Sequence, residues 1–251
     1  MRFILLTKKQ VLGLTAVMIA IIITTAVSLT VFASSSKLLP IYNVSTESKK
    51  IAISFDAAWG NDDTQTLIDT LAEYGVVATF FVVGDWVDKY PESVKQLSDA
   101  GHQIQNHSDS HPHMTNLSTN EMITELKNCN EKIAKITGKT PTLHRCPYGD
   151  YNNNVIEAIQ SIGMYAIQWD VDSLDWKENA TAESIANRVI SKTKNGSIIL
   201  MHNDADHTPE ALPTILKTLK EQGYEFVFIE DLIYKENYEI LHDGTQCKIE
   251  N

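Results

Sequence analysis

The stretch KIAISFDAAWGNDDTQTLIDTLAEYG, residues 50–75, sets the fold of the chain. Its opening segment, Lys50–Asp56, is rich in isoleucine and phenylalanine, which predicts a buried strand that ends at a carboxylate. Apolar residues then recur at positions 67, 68, 71 and 74, which predicts an amphipathic helix over 63–75 that ends at Gly75. The stretch is therefore one strand–helix unit with an aspartate at the carboxyl end of its strand.

The same unit recurs along the chain. Further strands are predicted at 76–84, 102–108, 142–149, 165–173, 197–203 and 224–232, and further helices at 92–101, 118–138, 154–163, 182–193 and 209–223. The longest of these helices begins at a capping box formed by Ser118 and Glu121. Seven strands that alternate with helices predict an α/β protein with a parallel sheet covered by helices, either a closed barrel or an open sheet.

The N-terminal residues have a different character. Residues 1–10 carry three cations and no acid, and residues 11–33 carry no charge at all. An apolar helix of that length, at about 1.5 Å per residue, would cross a hydrocarbon core of roughly 30 Å. The basic flank predicts that the rest of the chain lies outside the cytoplasm. We expect residues 1–33 to be a membrane anchor, or else a signal peptide cleaved after Ala33.

Composition indicates how the rest of the chain is organised and which classes of partner it could bind. We expect residues 34–49 to be a polar stalk, 50–232 to be one α/β domain, and 233–251 to be a loosely packed polar tail. Acidic residues number 32 against 21 basic ones, for a net charge of −11, which argues against nucleic acid as a partner. Three cysteines do not make a disulfide scaffold, and we expect a monomer.

Polar residues follow the ends of several predicted strands. The set comprises Asp56, His107, His111, Arg145, Asp170, Asp172, Asp175 and His202. Because the carboxyl ends of parallel strands meet on one face of a sheet or barrel, these side chains are expected to converge there on a ligand site.

The stretch NHSDSHPH, residues 106–113, indicates a metal site. His107 and His111 are four apart, so on a helical turn they would point the same way and could share a cation. Imidazoles together with a carboxylate suit Zn²⁺ or another first-row ion such as Co²⁺. The alternative is a polar loop with exposed histidines, and His113 is expected to face solvent in either case.

Five short motifs occur in a fixed order: SFD at 54–56, HSxxH at 107–111, RxPYG at 145–149, DSxDW at 172–176 and LxH at 200–202. With these motifs the chain resembles the polysaccharide deacetylases over residues 50–232. These form the NodB-homology domain of carbohydrate esterase family 4, and the likeness is to its sporulation-type and clostridial members. The resemblance implies a distorted (β/α) barrel, a divalent metal that is usually zinc, and hydrolysis of N-acetyl groups from N-acetylglucosamine or N-acetylmuramic acid residues of a polymer.

The resemblance also implies roles for single residues. Asp56 would be the general base, with Arg145 orienting its carboxylate. His202 would be the general acid with Asp175 as its charge partner, and the backbone N–H of Tyr148 would bind the oxyanion. The acetyl pocket would be walled by Trp176, Leu200 and Pro147.

One position departs from the family pattern. The usual motif is TFDDG, in which the second aspartate is the third metal ligand, whereas this chain has Ala57 there. Either the following loop supplies the ligand, through Asp62 or through Asn61, or the site is degenerate. In the second case the domain would be a catalytically inactive glycan-binding protein of the cell envelope. A carboxylate at Asp62 would also favour a helix N-terminus without binding metal.

The expected substrate is the peptidoglycan of a cell envelope, with chitin-type oligosaccharides or an exopolysaccharide as alternatives. Cys146 precedes the Pro-Tyr-Gly turn, where a thiolate could compete for the metal or be oxidised.

Overall fold

The computed structural model describes residues 7–9, 15, 17–19, 21 and 37–249. The chain divides into two compact units, residues 1–38 and 39–251. In the first unit, the described residues 8, 9, 15, 17–19 and 21 are helical. Most of the predicted anchor at 1–33 lies outside the described residues. Among those that are described, no helix is long and apolar enough to cross a membrane.

The second unit is an α/β domain. Its strands are β1 Asn43–Val44, β2 Lys50–Ala57, β3 Thr79–Val82, β4 Gln103–Asn106, β5 Leu143–His144, β6 Tyr165–Ala166, β7 Val171–Asp172, β8 Ile198–His202, β9 Glu225–Phe226, β10 Tyr238–Ile240 and β11 Thr245–Lys248. Its helices are α1 Thr64–Glu73, α2 Gly84–Lys89, α3 Pro91–Asp99, α4 Thr119–Thr137, α5 Asn153–Ser161, α6 Ala182–Lys192, α7 Thr208–Glu221 and α8 Ile229–Leu232. The strand–helix alternation predicted from the sequence is confirmed, with α2 as an addition.

The main sheet is a parallel, distorted barrel. Its strands follow the order β6-β5-β4-β3-β2-β8-β7, and β9 pairs with β2. The two end strands, β6 and β7, are consecutive in the sequence, with residues 167–170 between them. The stretch predicted as one strand at 165–173 is therefore broken, and its two halves pair with opposite ends of the sheet, with β5 and with β8.

At this break, Gln168 forms hydrogen bonds with two other segments of the chain. Its N–H donates to the carbonyl of Ile41 at 2.7 Å, and its carbonyl accepts from the buried guanidinium of Arg145 at 3.3 Å. The first bond is part of the isolated parallel bridge between Ile41 and Ile167, and the second joins the backbone to Arg145. The resemblance-based prediction of a distorted (β/α) barrel is confirmed, and the distortion lies at residues 167–170.

The central strand β2 separates two hydrophobic clusters by alternation. Ile53, Phe55 and Ala57 pack in the cluster shared with the helices, whereas Ala52 packs in a second cluster with Phe81 and Leu143. Since successive side chains of a strand point to opposite faces, Asp56 lies on the inner face and Ala57 on the helix-covered face.

The helix ends agree with the sequence, apart from one segment. Ser118 and Glu121 form the predicted capping box, and α4 ends at Gly138, whose φ of 71° is the left-handed conformation favoured by glycine. The strand predicted at 224–232 is wrong beyond β9. Its second half forms α8, which buries Ile229 and Leu232 three residues apart on one helical face.

The predicted stalk and loose tail are also wrong within the described residues. Strand β11 pairs parallel with β1 and antiparallel with β10, so residues from both segments form a three-stranded sheet. The side chain of Gln246 is buried and bonds to both the N–H and the carbonyl of Tyr234, at 2.8 and 2.7 Å. A buried amide with both partners satisfied fixes the segment after α8 against the domain.

Candidate active site

The carboxyl ends of the barrel strands surround a cavity of about 500 Å³. It is lined by Asp56, Ala58, Trp59, His107, His111, Tyr148, Gly149, Trp169, Asp172, Trp176, Leu200 and His202. These residues lie in the carboxyl-terminal part of, or just after, the strands β2, β4, β5, β6, β7 and β8. The structure thus brings together most of the polar side chains that the sequence placed at strand ends. Asp170 is the exception, because its carboxylate accepts from the Ile198 N–H at 2.9 Å and from the Ser197 hydroxyl at 3.0 Å, at the amino end of β8.

Asp56 and Arg145 form a buried ion pair at the floor of this cavity. Arg145 donates from Nη1 to Asp56 Oδ1 at 2.7 Å and from Nη2 to the Ser54 hydroxyl at 2.9 Å. Burial alone would raise the pKa of Asp56, but the charges of Arg145, His107 and His202 outweigh it and hold the pKa below its ordinary value. Asp56 is therefore an ionised carboxylate, with Oδ1 bound by arginine.

His107 is held in one tautomer. Its Nδ1 lies 2.7 Å from the Arg145 carbonyl, which can only accept, so Nδ1 carries the proton and Nε2 keeps its lone pair. Nε2 is 3.6 Å from Asp56 Oδ2. Burial lowers the pKa of His107, and burial followed by the charge of His107 lowers that of His111 to about 4. Both rings are neutral near pH 7, the state in which imidazole binds metals.

The two histidine rings meet without a helical turn. Their centroids are 5.0 Å apart, but His111 has a φ of 58° and Ser108 one of 68°, so a left-handed bend and not helical spacing brings them together. Glu125 of α4 fixes this bend, because its carboxylate accepts hydrogen bonds from the N–H groups of Asp109 and Ser110, both at 2.8 Å.

The loop after β2 does not bring a third ligand to these histidines. The Asn61 amide donates to the Ser93 hydroxyl at 2.9 Å, and Asp62 is exposed, away from the cavity lining. Gly60 fixes the loop: its carbonyl accepts from Trp86 Nε1 at 2.8 Å, and its N–H donates to Asp204 Oδ2 at 3.0 Å. The predicted relocation of the ligand to Asn61 or Asp62 is therefore not seen.

The donor set fits a divalent cation in part. His107 and His111 present neutral imidazoles, and a backbone carbonyl orients the His107 ring as is usual for a metal ligand. The third usual position is Ala57, whose methyl group is buried among apolar side chains. In the part of the chain that the structure describes, no group of three or more His, Cys, Asp or Glu is placed to hold a metal ion.

His202 and Asp175 form a second pair, and His202 lines the cavity beside Asp56. Asp175 accepts three hydrogen bonds: from His202 Nδ1 at 2.7 Å, from the His202 N–H at 2.8 Å and from the Thr208 hydroxyl at 2.7 Å. Burial would lower the pKa of His202, but the hydrogen bond and charge of Asp175 raise it above its ordinary value. Residue 202 is paired with Asp56 in the β2–β8 register, so the two pairs lie on neighbouring strands.

The turn after β5 carries the predicted oxyanion donor. Tyr148 has a φ of 60°, and the residue is 62% exposed to solvent. Among the described residues, no hydrogen bond uses the Tyr148 N–H, which leaves it for a ligand. Pro147, predicted to wall the pocket, is buried but does not line the cavity, whereas Trp176 and Leu200 do.

Trp59 is a cavity residue that sequence reasoning missed. It is 54% exposed, and its ring centroid is 5.7 Å from that of His202 and 6.5 Å from that of His111. With Trp169 and Trp176 it gives the cavity three of the chain's four tryptophans. An aromatic residue three positions after a strand-end aspartate was the signal that could have found it.

Cys146 does not act as a thiolate. Its side chain is buried, and burial followed by the nearby charge of Asp150 raises the pKa of the thiol to about 12. A neutral thiol is a weak ligand and a weak nucleophile, which contradicts the predicted competition for metal. All three cysteines are free.

Comparisons of sequence place the chain among known enzymes. The family model described as polysaccharide deacetylase matches residues 43–167. The chain is 40% identical over 192 residues to a peptidoglycan-N-acetylglucosamine deacetylase of Listeria monocytogenes, a match that covers 76% of this chain and 40% of that protein. It thus spans less than half of that relative's length. It is also 35% identical to a peptidoglycan-N-acetylmuramic acid deacetylase of Bacillus subtilis, over 77% of this chain and 75% of that protein.

Comparison of structures gives the same fold. A carbohydrate esterase family 4 pseudoenzyme from Bacillus anthracis superposes with a TM-score of 0.74 at 33% identity. The match covers 77% of this chain and 68% of that one. The likeness therefore extends over the barrel, to a member that carries the fold and is described as a pseudoenzyme.

Proposed function

Since the chain belongs to the polysaccharide deacetylase family, we propose that it is a hydrolase that removes N-acetyl groups from a cell-envelope glycan, most directly peptidoglycan. One observation carries the proposal. Two ion pairs on neighbouring strands, Asp56–Arg145 and His202–Asp175, lie at one aromatic cavity that also holds two neutral histidines. Hydrolysis of an amide needs one group that accepts a proton from water and another that gives a proton to the departing nitrogen.

In the proposed reaction, Asp56 is the group that accepts the proton of the attacking water. Its lowered pKa keeps it ionised at neutral pH, and Arg145 occupies Oδ1, which leaves Oδ2 as the basic oxygen. Because the arginine is itself fully buried and bonded to Ser54, it orients the carboxylate rigidly.

His202 is the proposed donor to the departing nitrogen. Asp175 raises its pKa and binds Nδ1, so the protonated ring keeps Nε2–H available to the cavity. The Thr208 hydroxyl and the His202 N–H hold the Asp175 carboxylate in turn. Asp175 thus favours the protonated form of the acid, His202, and Arg145 favours the ionised form of the base, Asp56. General acid–base catalysis requires these two protonation states.

The oxyanion would be bound by the backbone N–H of Tyr148, which is otherwise unused among the described residues. Such a donor typically contributes about 10²–10³ in rate. The faces of Trp59, Trp169 and Trp176 would contact the apolar faces of a sugar and its acetyl methyl group.

A divalent cation would be held by His107 and His111, with Zn²⁺ the first candidate and Co²⁺ the second. When bound, it supplies Lewis acidity for the amide carbonyl and for the attacking water. Two imidazoles without the family's carboxylate are expected to hold it more weakly than a complete three-ligand site.

The substrate and location follow from similarity and from residues 1–33. The two relatives above are named for N-acetylglucosamine and N-acetylmuramic acid residues of peptidoglycan, which supports that polymer over chitin-type oligosaccharides or an exopolysaccharide. The basic and then uncharged N-terminal residues support an extracytoplasmic domain held at the membrane. We propose that it acts there as a monomer.

A catalytically inactive glycan-binding protein is the second candidate. Ala57 and the two-histidine donor set favour it, as does the similarity to a pseudoenzyme. Against it, both ion pairs and an unused N–H surround the cavity, and glycan binding alone requires none of them.

The test is a cation titration of the full 251-residue chain, first stripped of metal. Acetate release would be followed with peptidoglycan and with N-acetylglucosamine oligomers as Zn²⁺ or Co²⁺ is added. Cation-dependent release from peptidoglycan supports the proposal, and faster release from the oligomers would move the substrate to chitin-type chains. Binding of either glycan with no acetate at any cation concentration would support the inactive protein.

A further inference from the structure

The turn that carries the proposed oxyanion donor is held by its own backbone and by contacts of the Tyr148 ring. Tyr148 has the left-handed conformation that residues other than glycine rarely adopt. The turn contains two backbone hydrogen bonds, Gly149 N to Cys146 O and Asp150 N to Pro147 O, both at 3.1 Å. Both bonds close turns in which Tyr148 is a central residue, and its side chain adds contacts that help to hold this conformation.

Those contacts come from two histidines of NHSDSHPH. The His113 ring is stacked on the Tyr148 ring, with centroids 4.2 Å apart and planes 18° apart. The His111 ring meets Tyr148 edge-on at 4.6 Å and 66°. Two rings from the loop after β4 therefore contact the Tyr148 ring, while 62% of the residue remains exposed to solvent.

His113 also forms a hydrogen bond with Asp150, the residue that follows the Pro-Tyr-Gly turn. Its Nδ1 lies 3.2 Å from Asp150 Oδ2, and the Thr115 hydroxyl donates to the same oxygen. Stack and tether together connect residues 111–115 to residues 148–150. His113 is exposed to solvent as expected, with half of its side chain accessible, and one face of its ring is covered by Tyr148.

We propose that His113 is a positioning residue for the Tyr148 N–H, and this proposal rests on the proposed deacetylase function. Stacking on the ring adds to the two turn bonds in keeping Tyr148 in its left-handed conformation, which aims the N–H at the cavity. The oxyanion forms in the transition state and not in the bound substrate, so loss of this positioning lowers kcat more than it raises KM.

The test compares His113→Ala, which removes the stack, with His113→Phe, which keeps a flat ring but loses the tether to Asp150. In His113→Ala we expect kcat to fall roughly 10- to 100-fold, since a misplaced oxyanion donor loses part of its 10²–10³ contribution. KM should change by less than about threefold. His113→Phe should recover most of the kcat, and His242→Ala, at an exposed histidine of the β10–β11 turn, should equal the unmodified protein.

A His113→Ala variant with unchanged kcat would overturn the proposal, as would a loss confined to KM. If His113→Ala does not fold, Asp150→Ala removes the tether and is judged by the same split between kcat and KM. If the unmodified chain releases no acetate, the proposed function fails, and the inference is then judged by crystal structures. Tyr148 leaving the left-handed conformation in His113→Ala would support it, and Tyr148 staying there would refute it.

Discussion

Replacing Asp175 by asparagine tests whether His202 acts as the general acid, because it changes the protonation of the His202 ring and leaves the histidine in place. The carboxylate accepts from His202 Nδ1, from the His202 N–H and from the Thr208 hydroxyl, at 2.7, 2.8 and 2.7 Å. In the variant, the asparagine oxygen can take the place of Oδ2 and keep the bonds from the His202 N–H and the Thr208 hydroxyl. The NH₂ group then takes the place of Oδ1 and faces His202 Nδ1. Nδ1 must therefore become an acceptor, which leaves His202 neutral.

The size of this effect follows from the lost bond. A hydrogen bond to a charged group contributes about 1.5–3 kcal/mol, and each 1.36 kcal/mol is a factor of ten in rate. We expect kcat at pH 7 to fall roughly 10- to 100-fold in Asp175→Asn. The raised pKa of His202 makes the unmodified enzyme lose activity as the pH rises through that pKa, and in the variant this loss should begin at lower pH.

The assay is acetate release as a function of pH, with Asp69→Asn as the matched control because Asp69 is an exposed aspartate of α1. Circular dichroism would show that each variant is folded. A folded Asp175→Asn variant with the kcat and the pH profile of the unmodified enzyme would refute the assignment of His202 as the acid.

Arg145→Ala should destabilise the fold by about 3–5 kcal/mol in urea denaturation, because it leaves the buried Asp56 carboxylate uncompensated; a loss below about 1 kcal/mol would contradict this. Burial lowers the pKa of His102 to about 4 in the folded protein, against about 6.5 in the unfolded chain. The free energy of unfolding is therefore at its full value above about pH 6.5 and decreases as the pH falls towards 4, by up to about 3 kcal/mol. In His102→Leu, the free energy of unfolding should depend less on pH between about 4 and 6.5. The same dependence on pH in the variant and the unmodified protein would refute the reasoning. A thiol reagent should modify Cys247 in the native protein and the other two cysteines only after unfolding, whereas fast modification of all three would contradict their burial. Trp59→Ala should raise KM for glycan oligomers several-fold, and an unchanged KM would remove Trp59 from the binding surface.

Local patterns in the sequence were enough to predict most of the barrel. The capping box, the terminal glycines and the apolar strands each act over a few residues, so α4 and the central strands lie close to where they were predicted. The break at 167–170 and the pairing of β1 with β11 depend on partners far away in the chain. No local pattern encodes such contacts, and they reversed the expectations for the stalk and the tail.

The same distinction holds at the site. Asp56, Arg145, His202 and Asp175 could be found because motif and strand-end position coincide, and the structure pairs them as expected. The loop with Asn61 was misjudged because its course is set by Trp86, Ser93 and Asp204, which lie on other elements. The contact of His113 with Tyr148 was missed for the same reason, since it joins two loops that lie more than thirty positions apart in the sequence.

The most direct test of the active-site assignment is acetate release from purified peptidoglycan by the unmodified chain, Asp56→Asn and Asp69→Asn at saturating Zn²⁺. We expect release by the unmodified chain and by Asp69→Asn, and a rate about 10²–10⁴ lower in Asp56→Asn, the usual contribution of a general base. Equal rates for Asp56→Asn and the unmodified chain, or no release by the folded, unmodified chain, would contradict the assignment of this cavity as a deacetylase active site.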